Sequence, residues 1–410
     1  MHMSDHLAGS AWSRDDVDYF LDPGRPSWAR FDGLTGYVPS DIVIRDGVDG
    51  AYTLNSYEDL GPAAAADPSH RPIARRMINY RDQNCRVNTY GDSFTQCHQV
   101  SDGETWQEAL AAHLGEPIRN FGVGGYGVYQ AFCRMRAIEL ASHGTEFVVL
   151  NIFDDDHVRN VDAARWFRIS TFRTAMGDGL RPMLHANPWA HLRIDRSTGT
   201  FVEHPNLLST PDSLYSLCDP DFLVDTFGQD PVVVLDCLSR GLDVDDVTPL
   251  EELAEVIGHP TDLRSGDVAT AAGDLLLAYG LASTLATMAM VRSLIAQRGK
   301  RLLVMLSYSS ESVIDALEGQ PRFDQVLLDD LSVHGDTVAD GLAAHVRDFA
   351  SFSLAPAQYC RRYFNGHYTP TGNQFFAFAV KDALVDWLDP TPIAYRTGDR
   401  GLNDSAATLA

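Results

Sequence analysis

The chain has 410 residues, 45% of them hydrophobic, enough to bury a full core and to argue against wholesale disorder. Its formal charge of −24 repels phosphate backbones and anionic lipid headgroups, so nucleic acid and membrane surfaces are poor partners. The six cysteines (Cys85, Cys97, Cys133, Cys218, Cys237, Cys360) are scattered with no Cys-x-x-Cys spacing. That argues against zinc fingers, redox motifs and a disulfide framework, and leaves one long-range disulfide open.

The opening Met1-His2-Met3-Ser4-Asp5 has neither a basic nor an apolar stretch, so no signal peptide is visible and a cytoplasmic location is expected. A removed leader stays open. Residues 1–85 carry few helix signals. Turn clusters at Asp22-Pro23-Gly24, Asp46-Gly47 and Asp49-Gly50 surround the strand-like run Ile42-Val43-Ile44, and Ala63–Ala66 with Asp67-Pro68 reads as a loop. The pattern predicts a small β-rich lead-in.

From Arg86 the chain alternates strand, loop and helix. Strands are predicted at Arg86–Tyr90, Pro117–Phe121, Glu146–Phe153 and Arg301–Tyr308, with helices at Glu104–Leu114, from the glycine-rich turn to about Ala141, and at Asn373–Leu388. Residues 161–265 break the rhythm: Leu192–Asp195 and Thr200–Val202 predict a hairpin, and the acidic stretch Asp243–Glu255 predicts loop and helix. Leu275–Val291 carries no charge, yet Leu277, Leu281, Leu285, Met288, Val291 and Ile295 recur at helical spacing, which fits a buried core helix better than a membrane span. Strands alternating with helices predict a three-layer α/β/α sandwich around a mainly parallel sheet. The α/β domain then covers 86–160 and 266–392, residues 161–265 form an insertion over the edge where the strands' C-terminal ends lie, and 393–410 form a mobile tail.

Four loops carry chemistry. Tyr90-Gly91-Asp92-Ser93-Phe94-Thr95 stands where a strand ends, the place an esterase needs its serine: the hydroxyl is exposed at the strand's C-terminal edge beside a free backbone N–H. Asn120-Phe121-Gly122-Val123-Gly124-Gly125-Tyr126-Gly127 follows the next strand and opens a helix. Glycine there lets an N–H approach a ligand oxygen, whereas a phosphate-binding loop would want a different glycine phase. Asp154-Asp155-Asp156-His157 ends the third strand. Asn365-Gly366-His367-Tyr368-Thr369-Pro370-Thr371-Gly372-Asn373 precedes the last helix.

These blocks, in this order, resemble the SGNH (GDSL) hydrolase superfamily, from about Arg86 to Leu388 with 161–265 interrupting. The resemblance implies an SGNH/flavodoxin-like fold, Ser93 as nucleophile, His367 as its base, and an oxyanion hole from the N–H groups of Ser93 and Gly125. Two positions depart from the family. Asp155 stands where an oxyanion-hole asparagine is usual, and Asn365 and Phe364 stand where an aspartate normally precedes the histidine. A carboxylate aimed at a forming oxyanion repels it unless protonated, and an asparagine orients imidazole without stabilising imidazolium. Three readings stay open: Asp155 is neutral or turned away, Asp155 or Asp156 supports His367, or ordinary esterase activity has been lost. Asp154–Asp156 with His157 are also metal-ligand types, but consecutive loop carboxylates rarely converge on one ion, so no metal and no cofactor is expected. His98 and Asn160 read as structural. Asp156, Tyr308 and the aromatic-rich insertion are candidates to line an acyl or sugar pocket.

The expected activity is hydrolysis of small-acyl esters through a Ser93 acyl-enzyme, on O-acetylated carbohydrate, a polar metabolite or a lipid ester. The alternatives are an O-acyltransferase using the same groups, a catalytically retired SGNH-like module binding glycan or protein, and, more weakly, metal-dependent hydrolysis.

Overall fold

The structure of the protein, a computed structural model, describes residues 1–44, 53–61, 72–169 and 187–396. The turns expected at 46–50, the loop at 63–68 and most of the tail after Tyr395 lie outside the described residues.

The fold is mixed α/β, built on one seven-stranded, mostly parallel sheet. Its strands are β1 (Tyr57–Asp59), β2 (Ile73–Arg75), β3 (Val87–Tyr90), β4 (Arg119–Asn120), β5 (Phe147–Phe153), β6 (Arg301–Ser307) and β7 (Thr337–Asp340), in the spatial order β7-β6-β5-β3-β4-β2-β1. β4, β3, β5, β6 and β7 are parallel, while β2 and β1 add an antiparallel pair beside β4. β5 is buried at every residue, as a strand covered on both faces must be. β3 is buried too, although Asn88 and Thr89 are polar. Asn88 donates to Glu139 Oε1 (2.7 Å), and the Thr89 hydroxyl donates to the Arg119 carbonyl (3.1 Å). Their hydrogen bonds, and not their hydrophobicity, let them lie inside.

Two helix groups pack on the sheet. Trp106–Leu114 packs with Pro370–Trp387, and Val268–Gln297 packs with Val128–Glu139 and Gln325–His334. Val268–Gln297 is long and apolar enough to cross a membrane, but most of its apolar stretch is buried against these partners and Pro231–Ser239. Gly280 lets it close on the third motif: a Cβ there would lie 2.8 Å from the backbone of His157 and Val158. The hairpin at 191–204 forms as predicted, with Asp195 paired to Thr200.

The N-terminal segment differs from expectation in its first residues. Two helices, Met3–Gly9 and Arg14–Leu21, precede the strand pair Ala29–Asp32 and Gly36–Pro39. The Ser13 hydroxyl caps the second by accepting from the Asp16 N–H (3.2 Å), and Val17 and Phe20 are its buried face. All six cysteines are free thiols. At the C-terminal end Ile393–Tyr395 forms a short turn, with Ala394 beside Gly115.

Candidate functional site

Ser93 is the first residue of a single helical turn, Ser93–Gln96, set on the end of β3. Asp92 caps it, accepting from the Phe94 N–H at 2.8 Å. Gly91 has to be glycine, because a Cβ would collide with the Thr95 side chain and the Asn151 carbonyl. So short a turn leaves its carbonyls unsatisfied, and side chains from elsewhere supply the donors. Trp106 Nε1 reaches the Phe94 carbonyl (3.0 Å), Gln107 and Asn120 reach that of Thr95 (2.9 and 2.7 Å), and Arg75 reaches those of Gln96, Cys97 and Val100. The Ser93 N–H, first amide of the turn, has no intrahelical acceptor.

His367 arrives from the other end of the chain. Phe364–Asn365 and His367–Tyr368 pair across Gly366, whose φ of 75° suits glycine and makes the sharp turn. The motif spacing then has a local cause. The Thr369 hydroxyl caps the last helix by accepting from the Gly372 N–H (3.1 Å), Pro370 takes its first turn, and a side chain at Gly372 would strike the Tyr363 carbonyl. The result is a contact across 274 residues: His367 Nε2 lies 2.8 Å from Ser93 Oγ.

The third member of the arrangement is Gln99. Its Oε1 accepts from the His367 backbone N–H (2.9 Å) and lies 2.8 Å from His367 Nδ1. Since a backbone N–H can only donate, that atom is the amide oxygen. Nδ1 therefore carries the proton, and Nε2 is the acceptor for the serine hydroxyl. Burial, then neighbouring His98 and Arg159, hold the imidazole pKa well below its usual value, so the ring is neutral at pH 7. The serine hydroxyl also lies 3.0 Å from Asp92 Oδ2, giving its one proton two acceptors. Ser93 is 7% exposed, narrow but not sealed.

The glycine loop meets this pair. The Gly124 N–H donates to Gln96 Oε1 (2.5 Å), and the Gly124 carbonyl accepts from the Tyr37 hydroxyl (2.7 Å). Peptide planarity then turns the Gly125 N–H away from Tyr37, and Gly125 adopts φ 86°. The Gly125 N–H donates to no group among the described residues.

Several expected roles change. Asn365 is exposed, and the His367 Nδ1 position it was expected to serve is taken by Gln99. Asp155 neither supports His367 nor stays neutral. Partial desolvation would raise its pKa, but the guanidiniums of Arg159, Arg165 and Arg168 outweigh that and hold it below the carboxylate range. It pairs with Arg159 (2.5 Å) and Arg165 (3.0 Å), so it is an ionised group turned onto arginines, not an oxyanion donor. Asp156 is buried and committed to the Phe153 N–H (3.0 Å) and Arg159 (2.7 Å), so it lines no pocket. Tyr308 is likewise buried, its hydroxyl bonded to Asp324 (2.5 Å) and Arg322. Asp154 accepts from Ser309 and Ser312, His157 bonds Thr284, and Asp155 and Asp156 both turn to Arg159, so the four side chains do not converge on one point. Asn160 is structural: its Oδ1 accepts from the Tyr129 N–H (2.8 Å) at the start of Val128–Glu139, and its amide donates to Ser283 and Thr284.

Two more residues stand next to the pair: His98, expected to be structural, and Trp28, for which the sequence suggested no role. His98 meets His367 edge-on at 4.3 Å, and Trp28 stacks on His98 at 6.0 Å. By contrast, a cavity of about 670 Å³ lined by Leu7, Arg193, Leu250 and Tyr279 includes neither Ser93 nor His367. Chemistry, not volume, selects the site. No protein-family model matches the chain, and no curated protein matches it in sequence.

Proposed function

We propose that the chain is a serine ester hydrolase of the SGNH type, with Ser93 as nucleophile and His367 as base. The observation that carries this reading is the 2.8 Å contact between Ser93 Oγ and a His367 Nε2 left unprotonated by the Gln99 bond. Strand order supports it. Numbering only the parallel strands along the chain, the order is 2-1-3-4-5, that of flavodoxin-like doubly wound sheets with helices on both faces. In such sheets ligands bind outside the strand C-termini where the order reverses, and β3, which carries Ser93, is the strand at that reversal.

In the proposed reaction His367 takes the serine proton as Ser93 Oγ attacks the ester carbonyl. The N–H groups of Ser93 and Gly125 hold the oxyanion, and the protonated imidazole hands its proton to the departing alcohol. Water, activated by the same imidazole, then releases the acid. The substrate is an uncharged small-acyl ester of a small molecule or glycan, and the reaction draws on no cofactor.

One observation favours a second reading. Gln99 orients the imidazole but brings no negative charge to offset imidazolium, a weakness that fits an SGNH-like binding module with residual or no turnover. An activity-based fluorophosphonate separates the two. The esterase reading expects covalent labelling of wild type and none of Ser93→Ala; an unlabelled wild type that is folded rejects it.

A further inference from the structure

The surface that flanks Ser93 comes from a part of the chain remote from the Ser93–His367 pair. Trp28 precedes the strand Ala29–Asp32, and its carbonyl accepts from the Ser40 N–H (3.0 Å), which fixes the backbone at the indole. The ring, partly exposed, stacks on His98, and His98 in turn meets His367 at 4.3 Å. The benzene edge faces the glycine loop. A methyl group built on Gly124 would lie 3.5 Å from Trp28 Cζ3, 3.5 Å from Ser93 Cβ and 2.8 Å from Gln96 Oε1, the oxygen that accepts from the Gly124 N–H. Indole, glycine backbone and nucleophile therefore lie within one side chain's reach of one another, with Gln96 beside them.

Chemistry assigns the Trp28 side of the serine. A carbonyl carbon bonded to Ser93 Oγ must point its oxygen at the Gly125 N–H. It must also point its leaving oxygen at His367 Nε2, the group that returns the proton. The acyl chain takes the remaining direction, along Gly124, where Trp28 stands. His98 Nδ1 is buried without a hydrogen-bond partner among the described residues, and neither His98 nor Trp28 brings a charge to the wall. Burial holds the His98 pKa down to about 4, which keeps that ring uncharged at ordinary pH.

We propose that Trp28 and His98 form the acyl-side wall of the Ser93 site and restrict the ester to a short, uncharged acyl group, acetyl or propionyl. This rests on the esterase reading above and adds to it a selecting element contributed by the N-terminal segment. The alcohol portion, on the His367 side, escapes this restriction.

The test uses the full chain and p-nitrophenyl esters of increasing acyl length, from acetate to octanoate, read as kcat/KM. Wild type should favour acetate over hexanoate. Trp28→Ala should raise the hexanoate-to-acetate ratio about tenfold or more, the scale on which apolar pockets discriminate methylenes. Trp28→Phe should keep most of the wild-type order. His98→Ala opens the same wall while leaving the indole's backbone support in place, and should shift the ratio in the same direction. Equal losses on every ester in Trp28→Ala and His98→Ala would overturn the proposal, as would a wild type that prefers octanoate. A wild type labelled at Ser93 by the fluorophosphonate but insensitive to both substitutions refutes the wall alone; an unlabelled wild type refutes the wall and the esterase together.

Discussion

Gln99→Glu is the most informative perturbation, because it adds the charge the site lacks without changing its shape. A carboxylate oxygen at the present Nδ1 contact of 2.8 Å attracts imidazolium by about 6 kcal/mol at an effective dielectric near 20. Taking the carboxylate from water into this half-buried position returns several kcal/mol, leaving a net gain of about 1–3 kcal/mol in the transition state. That is roughly tenfold to a hundredfold in kcat/KM. The pH profile should move as well. His367 must be neutral to accept the serine proton, so activity falls as pH drops through its pKa. In wild type burial, His98 and Arg159 depress that pKa, and the acid limb lies below the range of free imidazole. The glutamate raises the pKa, so the limb moves to higher pH. Initial rates on p-nitrophenyl acetate from about pH 5 to 9 read both effects. A Gln99→Glu protein with wild-type rate and an unmoved acid limb would refute the assignment of Gln99 as the partner of Nδ1.

Three further outcomes follow from the arginine cluster and the strand ends. Asp155→Asn should keep turnover within about threefold, because Asp155 touches neither Ser93 nor His367. It should cost only about 1 kcal/mol in denaturant unfolding, since its side chain is 47% exposed. A collapse in turnover would make it catalytic. Arg159→Met strands the buried Asp92 and Asp156 without their shared cation and should cost about 3–5 kcal/mol. Burial already raises both carboxyl pKa values, with Asp92 and Asp156 reinforcing each other at Asp156, so the folded state holds protons the unfolded chain has released. Stability therefore falls as pH rises from the ordinary carboxylate range toward those raised values, and the fall should be steeper in Arg159→Met, as melting at pH 5 against pH 7 would show. Tyr308→Phe should lower stability by about 1 kcal/mol through the lost hydrogen bond to Asp324, which keeps its pairing with Arg322, and leave ester preference unchanged, as parallel melting and ester panels would show.

What could be read from sequence and what could not divide along physical lines. β5 and β6 were legible because each is a long, nearly unbroken apolar run, as strands covered on both faces usually are. The His367–Gly372 spacing was legible because Thr369, Pro370 and Gly372 build one helix start. Gln99 was not, since its place depends on Cys97 in a left-handed conformation and on Arg75, from β2, holding the carbonyls of Gln96, Cys97 and Val100. No pattern in residues 93–99 announces that. Tyr308, expected as the last residue of the strand, lies one residue past β6, and its ring direction is set by Asp324 and Arg322, partners only tertiary structure supplies. Asp155 had a visible i+4 partner in Arg159; the second arginine, Arg165, comes from the start of the insertion. The Arg14–Leu21 helix did carry a signal, Ser13 followed three residues later by Asp16, but its apolar face is too brief to stand out.

Everything chemical here turns on one bond forming at one oxygen. Rapid quenching of the protein with p-nitrophenyl acetate, followed by peptide mass spectrometry, reads that bond directly. The account predicts an acetyl group on the peptide containing Ser93, absent from Ser93→Ala, whose turnover is lost. Turnover that persists in Ser93→Ala, or an acetyl group carried on a different residue, would contradict it.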